Sequence, residues 1–275
     1  MAKIRVVVDS TAYFTKEYVS ENNIDVVQLK VEFGGVTKDE GFPGEFEEFY
    51  NKLKNSTDFP VTSQPPVGAF VKVFQDAVDN GEEVITLTFS SKLSGTYNCA
   101  KLAAEMVAPD KITVIDSESA VAVHRFLAEI AVDLAKEGKT REEIIKAIED
   151  QKTRMGIHLT VGSLEYMKRG GRLSGAKALV GTLLNIKPII GLVDGLLIPV
   201  EKVRGKNKAI EMMISKIPDD VKKISIGQVL NMEEANRVKA ILEEKFKDAE
   251  VTIYEVGPVI GSHLGPETIG LCYIW

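Results

Sequence analysis

The chain has 275 residues, of which 44% are hydrophobic and 27% are charged. These proportions are typical of a globular protein with one large or two smaller domains, and they exclude a disordered chain. Two cysteines and three widely spaced histidines exclude a disulfide scaffold and argue against a familiar metal cluster. No apolar run reaches the roughly 18 residues of a membrane-spanning helix, and the N-terminus does not read as a signal peptide. We therefore expect a cytoplasmic protein without integral membrane association.

The net charge of −6 argues against a nucleic-acid-binding protein. The charge is unevenly distributed, because the segment from Lys168 to Lys208 carries nine Lys and Arg residues against Asp194 and Glu201. This basic segment has a balance of +7, which leaves −13 on the rest of the chain. Such a segment is either a solvated face or a docking surface for an anion or an acidic partner, and charge alone leaves both open.

The first half of the chain alternates apolar, β-branched runs with amphipathic ones. In chain order we predict strands over 3–8, 25–33, 83–89 and 111–115, and helices over 15–21, 45–53, 67–78, 94–106 and 121–135. Three prolines between 59 and 66 forbid a helix interior and predict a loop there. The alternation indicates a mainly parallel sheet with helices on both faces.

A further helix is predicted over 141–152, where Thr140 and Glu143 have the spacing of a capping box. Its end is the best domain boundary, which divides the chain into 1–154 and 155–275. The second part has strand patterns over 157–161, 186–192, 196–202, 223–229, 250–256 and 270–275, and helix patterns over 164–168, 206–217 and 233–246. Asp194-Gly195 predicts a hairpin. We therefore expect an α/β fold whose second domain is α+β and is closed by its last strand.

Three strands of the first half end in hydroxyl and carboxylate side chains, at 9–11, 90–96 and 116–119. Open α/β sheets bind ligands at the carboxyl ends of their strands, although the same residue types are also ordinary helix N-caps. Hydroxyls hold a carboxylate or phosphate oxygen without a metal ion. Thr62 and Ser63, in the proline-stiffened loop, would join them.

Nucleophilic catalysis by Ser94 with His263 as base is an alternative, although Lys92 replaces the first glycine of a GxSxG motif. His263 lies in the glycine- and proline-rich segment 257–266, whose tight backbone would hold the imidazole in one direction. Gly170 and Gly175 have the spacing of a phosphate-binding loop, but Ala176 stands where lysine is required, which excludes that reading.

Several motifs together resemble the DegV family of bacterial fatty-acid-binding proteins, in the same order and over nearly the whole chain. They are Asp9-Ser10-Thr11-Ala12, Ser90-Ser91-Lys92-Leu93-Ser94-Gly95-Thr96, Asp116-Ser117, Leu164-Glu165-Tyr166-Met167-Lys168-Arg169-Gly170-Gly171-Arg172, Leu184-Asn185-Ile186-Lys187-Pro188 and the segment 257–266. The chain departs from the family pattern at Glu267, where a glycine usually follows Pro266.

The resemblance implies a DegV-like protein of two domains with a long-chain fatty acid (C14–C18, such as palmitate) bound non-covalently between them. It implies no metal and no cofactor. Better-understood members are the acyl-binding subunit of a fatty acid kinase. They present the carboxylate to a separate ATP-binding subunit, which forms an acyl phosphate for phospholipid synthesis. On this reading the chain is a carrier and not an enzyme by itself.

Carried over by motif, Thr62 and Ser94 would hold the carboxylate. Four residues would support the polar network: Arg169, His263, Ser10 and Ser117. Arg172 and Arg204, in the basic segment, would dock the kinase subunit or steer phosphate. A lipid sensor or transporter without a kinase partner, and the hydrolase that uses Ser94 and His263, remain alternatives.

Overall fold

The computed structural model describes residues 3–174 and 186–275. The chain divides into two units, Met1–Thr153 and Arg154–Trp275, here called the N-terminal and C-terminal units. No helix in the described ranges is long and apolar enough to cross a bilayer.

The N-terminal unit is built on a parallel sheet. In chain order its elements are β1 (Ile4–Asp9), a 3₁₀ turn (Ser10–Ala12), α1 (Lys16–Asn22), β2 (Ile24–Val27), β3 (Lys30–Phe33), β4 (Val36–Asp39), α2 (Glu47–Asn55), β5 (Val61–Ser63), α3 (Val67–Asp79), β6 (Glu83–Thr88), α4 (Thr96–Val107), β7 (Ile112–Asp116), α5 (Val121–Lys136) and α6 (Arg141–Lys152). Four parallel strands lie in the order β2-β1-β6-β7. The predicted parallel sheet with packed helices is confirmed.

The core of this unit forms where α3 and α4 pack against the sheet. Phe70, Phe74 and Ala100 are completely buried against Val7 and Val84 of the central strands. Because these apolar residues recur at helical spacing in α3 and α4, burying one face of each helix is sufficient to fix it on the sheet. In this packing α4 lies next to β7, and the N-terminal end of α4 follows β6 in the chain.

A second, three-stranded antiparallel sheet, in the order β4-β3-β5, was not predicted. The single strand predicted over 25–33 is two strands, β2 and β3, and they belong to different sheets. The predicted loop over 59–66 contains the short strand β5. The reason is that Pro60, Pro65 and Pro66 flank β5, so its own amides remain available to pair with β3 at the sheet edge.

Helix α6 begins with the predicted capping box. The Thr140 hydroxyl accepts a hydrogen bond from the Glu143 amide at 3.3 Å, and Glu143 Oε2 accepts one from the Thr140 amide at 2.8 Å. Two of the amides that the helix start leaves without partners are thereby satisfied.

The C-terminal unit holds a mixed sheet in the order β10-β9-β8-β13-β11-β12. In chain order its elements are β8 (Met155–Thr160), α7 (Glu165–Gly170), β9 (Ile186–Val193), β10 (Leu196–Arg204), α8 (Lys206–Ile214), β11 (Lys223–Val229), α9 (Met232–Lys245), β12 (Glu250–Glu255), α10 (Pro258–Leu264) and β13 (Thr268–Ile274). Neighbouring strands are antiparallel except β11 and β12. Helices α8 and α9 bury their apolar residues on one face of this sheet. The last strand, β13, lies inside the sheet between β8 and β11, and not at an edge.

The predicted hairpin is confirmed between β9 and β10. Asp194 and Gly195 have φ values of 49° and 76°, as a type I′ turn requires of both central residues. The segment 257–266 contains the helix α10, which was not among the predicted helices. Pro258 is tolerated in the first turn, where no amide is needed, and Gly265 ends the helix with a φ of 74°.

Candidate functional site

Ser94 lies in the turn between β6 and α4 and is half-buried. Its amide donates to the Ser90 carbonyl at 3.2 Å, which closes the turn. Its hydroxyl is hydrogen-bonded to the Thr96 hydroxyl at 2.9 Å and accepts from the Thr96 amide at 3.3 Å. Because Thr96 is completely buried, it fixes the direction of the Ser94 oxygen. The hydroxyl is therefore held at the start of α4.

Thr62 lies in the middle of β5 and is also half-buried. Backbone pairing with Val31 of β3 sets its position in the small sheet. Two residues later, Gln64 reaches α4, where its Nε2 donates to Cys99 Sγ at 3.0 Å. The Gln64 amide also covers Gly95, the neighbour of Ser94, because Gln64 Oε1 lies 2.0 Å from where a β-carbon on Gly95 would be. The structure therefore brings the loop of Thr62 onto the turn of Ser94.

Ser10 is buried and its hydroxyl has protein partners. It donates to Glu40 Oε2 at 2.5 Å and accepts from the Leu29 amide at 3.1 Å. Glu40 also accepts from the Tyr13 hydroxyl at 3.2 Å. The preceding Asp9, completely buried, accepts from the Phe89 amide at 2.7 Å and so joins the ends of β1 and β6. These groups hold strand ends together, so any role of Ser10 in ligand binding is indirect.

Ser117 is also completely buried, after the end of β7. Its hydroxyl donates to the Ser119 carbonyl at 3.3 Å and accepts from the Ser119 amide at 3.1 Å. The neighbouring Asp116 accepts from the Ser91 amide at 3.1 Å and thereby ties the turn of Ser94 to β7. Ser117 acts on that turn only through the local backbone.

In the C-terminal unit, His263 lies in the last turn of α10 and packs on Gly170, the last residue of α7. Burial, and then the positive charge of Arg172, lower the pKa of His263 from 6.5 to about 4. The imidazole is therefore neutral at neutral pH. The Arg172 guanidinium donates to the Gly170 carbonyl at 2.6 Å, so these three residues form one cluster.

Two further arginines of the basic segment were predicted to have a role, Arg169 and Arg204. Arg169 is exposed and forms an ion pair of 2.8 Å with Glu165, one turn earlier in α7. Arg204 is exposed at the end of β10. The exposure of Arg204 suits the docking role predicted for it, and the supporting role of Arg169 in the polar network stays a prediction.

The basic segment lines a cleft of about 500 Å³ between the start of α7 and β9. Lys168 and Lys187 contribute its positive charge, and Lys187 Nζ donates to the Gly162 carbonyl at 3.2 Å. Four residues of the sequence motifs lie outside the described residues: Gly175, Ala176, Leu184 and Asn185. Among the residues that the structure describes, no group of three or more His, Cys, Asp or Glu side chains is placed to hold a metal ion.

Sequence reasoning missed Gln64 and Glu40. A glutamine in a loop has no pattern of its own, whereas the hydroxyl of Thr62 stood out in the proline-stiffened loop and the family resemblance then gave it a role. Glu40 follows β4, a strand that was not predicted, so nothing in the sequence indicated that Glu40 is buried.

Comparison with known proteins then decides the family. A family model described as "Uncharacterised protein, DegV family" matches residues 3–275. The chain belongs to the DegV family. A DegV domain-containing protein of Halalkalibacterium halodurans is 37% identical over 282 residues, with 99% of each chain covered.

Two solved structures have the same fold. DegV of Bacillus subtilis, described as a fatty acid binding protein, superposes with a TM-score of 0.90 at 33% identity, with both chains fully covered. A stearic acid-binding protein of Eubacterium ventriosum superposes with a TM-score of 0.85 at 28% identity, covering 100% of this chain and 98% of the other.

Proposed function

We propose that this chain binds a long-chain fatty acid of 14 to 18 carbons non-covalently, with the carboxylate held by the hydroxyls of Thr62 and Ser94. The single observation that carries this assignment is the contact of Gln64 with Gly95, which joins the loop of Thr62 to the turn of Ser94. The ligand class is supported by two structural neighbours, of which one is described as a fatty acid binding protein and the other as a stearic acid-binding protein.

The chemistry of a hydroxyl pair suits a carboxylate. Each hydroxyl donates one hydrogen bond to a charged oxygen, and such a bond contributes about 1.5–3 kcal/mol. We assign Arg169 and His263 a supporting role in the polar network, and Ser10 and Ser117 an indirect one through their buried contacts. Because the His263 imidazole is neutral, it acts in this network as a hydrogen-bonding group and not as a counter-ion.

The acyl chain supplies most of the affinity. Burial of a sixteen-carbon tail yields about 12 kcal/mol at about 0.8 kcal/mol per CH₂. Association and ordering costs then remove several kcal/mol. The remainder is sufficient to retain a lipid through purification without a covalent bond.

We further propose that the bound carboxylate is presented to a separate ATP-binding kinase subunit, which converts it to an acyl phosphate. The chain itself is then a carrier. The exposed guanidinium groups of Arg172 and Arg204, within the basic segment, suit docking of an acidic surface or a phosphate.

Native mass spectrometry of the purified protein tests the ligand first. We expect an extra mass that leaves on denaturation and matches a C14–C18 fatty acid after organic extraction. A protein that emerges without lipid and fails to bind palmitic acid on titration contradicts the assignment.

The kinase step needs its own experiment. Loaded protein, an ATP-binding fatty acid kinase subunit and ATP are expected to yield acyl phosphate. Arg172→Ala and Arg204→Ala are expected to slow its formation, and Arg204→Ala, which lies outside the His263 cluster, is expected to leave lipid affinity unchanged. Lipid binding without acyl phosphate would favour a sensor or transporter. Covalent labelling of Ser94 by a fluorophosphonate would favour the hydrolase.

A further inference from the structure

The side chain of Gln64 spans one turn of α4. Its Nε2 donates to Cys99 Sγ at 3.0 Å, and its Oε1, Cδ and Nε2 lie 2.0, 2.8 and 3.1 Å from where a β-carbon on Gly95 would be. Gly95 and Cys99 are joined within the helix, because the Cys99 amide donates to the Gly95 carbonyl at 3.1 Å. The amide therefore rests on two positions of the same helix face.

This contact explains why residue 95 is glycine. Gly95 has φ −76° and ψ 5°, a conformation with negative φ that most L-residues adopt at the third position of a type I turn. Backbone freedom is therefore not the reason for glycine here. The space is the reason, since even a methyl group at this position would collide with the Gln64 amide.

The contact of Gln64 with α4 also involves the neighbours of both hydroxyls of the proposed carboxylate site. Thr62 lies on β5, two residues before Gln64, which follows the end of that strand, and Ser94 directly precedes Gly95. The Ser94 oxygen is fixed on the helix side by the Thr96 hydroxyl and amide. Thr62 lies on a separate sheet, and the contact of Gln64 with α4 is what joins that strand end to the turn.

We propose that Gln64 is a positioning residue of the carboxylate site, a clasp that sets the spacing of Thr62 and Ser94 by binding to Gly95 and Cys99. This inference rests on the proposed function. A carboxylate bridges two donors only at a fixed separation, because hydrogen bonds weaken steeply away from about 2.5–3.0 Å for hydroxyl donors. Release of the clasp therefore lowers affinity although both hydroxyls remain.

The clasp has two ends, and each is broken by one substitution. Gln64→Ala removes the amide. Gly95→Ala expels it, and because the far end of a flexible side chain moves easily, the fold should be little affected. Since both substitutions break the same contact, their effects on binding are expected not to add.

The test is titration of the delipidated full chain with palmitic acid, with urea unfolding of each variant alongside. We expect Gln64→Ala, Gly95→Ala and the double variant each to bind about fivefold more weakly than the wild type, by loss of one hydrogen-bonded contact. Matched controls are Gln75→Ala, an exposed glutamine of α3 that bonds Asp79, and Gly68→Ala, a helical glycine with open space around it. Both controls should bind as the wild type does.

Other outcomes overturn the clasp. Wild-type affinity in Gln64→Ala and Gly95→Ala, with Ser94→Ala weakened, refutes the clasp and leaves the proposed function standing. Losses that multiply to about twenty-five-fold in the double variant show two independent effects and also refute it. A wild-type chain that fails to bind palmitic acid refutes both. If Gln64→Ala does not fold, Gln64→Asn replaces it, since the shorter amide no longer spans Gly95 and Cys99.

Discussion

The imidazole of His263 occupies the space in which a side chain on Gly170 would begin. His263 Nδ1 lies 2.1 Å from where a β-carbon on Gly170 would be, and Cγ and Cε1 lie 3.1 and 3.2 Å from it. Gly170 has no positive φ, so glycine is required by the approach of α10 to α7 and not by the backbone. One missing side chain therefore sets the position of the histidine that the family motif places in the polar network.

Gly170→Ala should therefore destabilise the protein. Alanine normally stabilises a helical position relative to glycine, but here the methyl group forces the imidazole ring to move. We expect a loss of about 1–3 kcal/mol in the free energy of unfolding, measured with urea. Gly68→Ala, in the first turn of α3 with open space, should instead gain up to about 1 kcal/mol. Equal effects of the two substitutions would contradict the packing argument.

A second prediction concerns Glu267, where the chain departs from the family pattern. Glu267 has a φ of 62°, in the left-handed region that costs a non-glycine residue about 1–2 kcal/mol. Its amide donates to the Val229 carbonyl at 2.9 Å and its carbonyl accepts from Asn231 at 3.2 Å, so the backbone is held there. We expect Glu267→Gly to stabilise the protein by about 1 kcal/mol.

The matched control is Glu267→Ala, which removes the carboxylate and keeps the left-handed strain. Urea unfolding of both variants separates the two causes. If Glu267→Ala stabilises the chain as much as Glu267→Gly, the carboxylate and not the backbone accounts for the gain.

Local signals account for the parts of the fold that were predicted correctly. The capping box of Thr140 and Glu143 and the turn of Asp194 and Gly195 each need only a few adjacent residues to form. The parallel sheet followed in the same way, since strands and helices alternate in the first half. By contrast, β5 forms because it pairs with β3, and the three residues of β5 do not indicate from the sequence which strand they pair with.

The two hydroxyls of the proposed site could be picked out from the sequence, but the contacts of their neighbours could not. Thr62 and Ser94 stand out because they lie among prolines and beside a glycine, and the family motifs then gave them a role. Gln64 meets Cys99 across 35 positions, and Ser10 meets Glu40 across 30. Contacts of such separation depend on the packing of whole elements, so they appear only in the folded structure.

A third prediction concerns pH. Burial, and then the charge of Lys216, lower the pKa of His158 from 6.5 to about 4. The Tyr273 hydroxyl donates to the Lys216 carbonyl at 3.1 Å, so the His158 Nδ1–H donates to Tyr273 Oη at 3.0 Å. Between pH 6.5 and 4, His158 is protonated in the unfolded state and neutral in the folded state. Stability therefore falls as the pH falls through this window.

The measurement is urea unfolding at pH 7.5 and pH 5 for the wild type and for His158→Gln. We expect the variant to lose less stability between these two pH values, by about 1–2 kcal/mol, because position 158 no longer titrates. Carboxylates contribute equally to the pH dependence of the free energy of unfolding in both proteins, so the difference between the two is due to His158. Identical pH dependence in the two chains would show that His158 is protonated as easily in the folded protein as in the unfolded one.

The last prediction tests the carboxylate site directly. A hydroxyl that donates to a charged oxygen contributes about 1.5–3 kcal/mol, so Ser94→Ala and Thr62→Ala should each weaken palmitic acid binding about tenfold to a hundredfold. Ser94→Ala also removes the acceptor of the Thr96 amide, so its unfolding must be measured beside its affinity. Thr57→Ala, an exposed threonine before β5, is the control and should bind normally. Affinities within twofold of the wild type in both site variants, measured by calorimetry on delipidated protein, would remove Thr62 and Ser94 from the site. In that case the head group must be held by other donors, with the acyl chain still supplying most of the affinity.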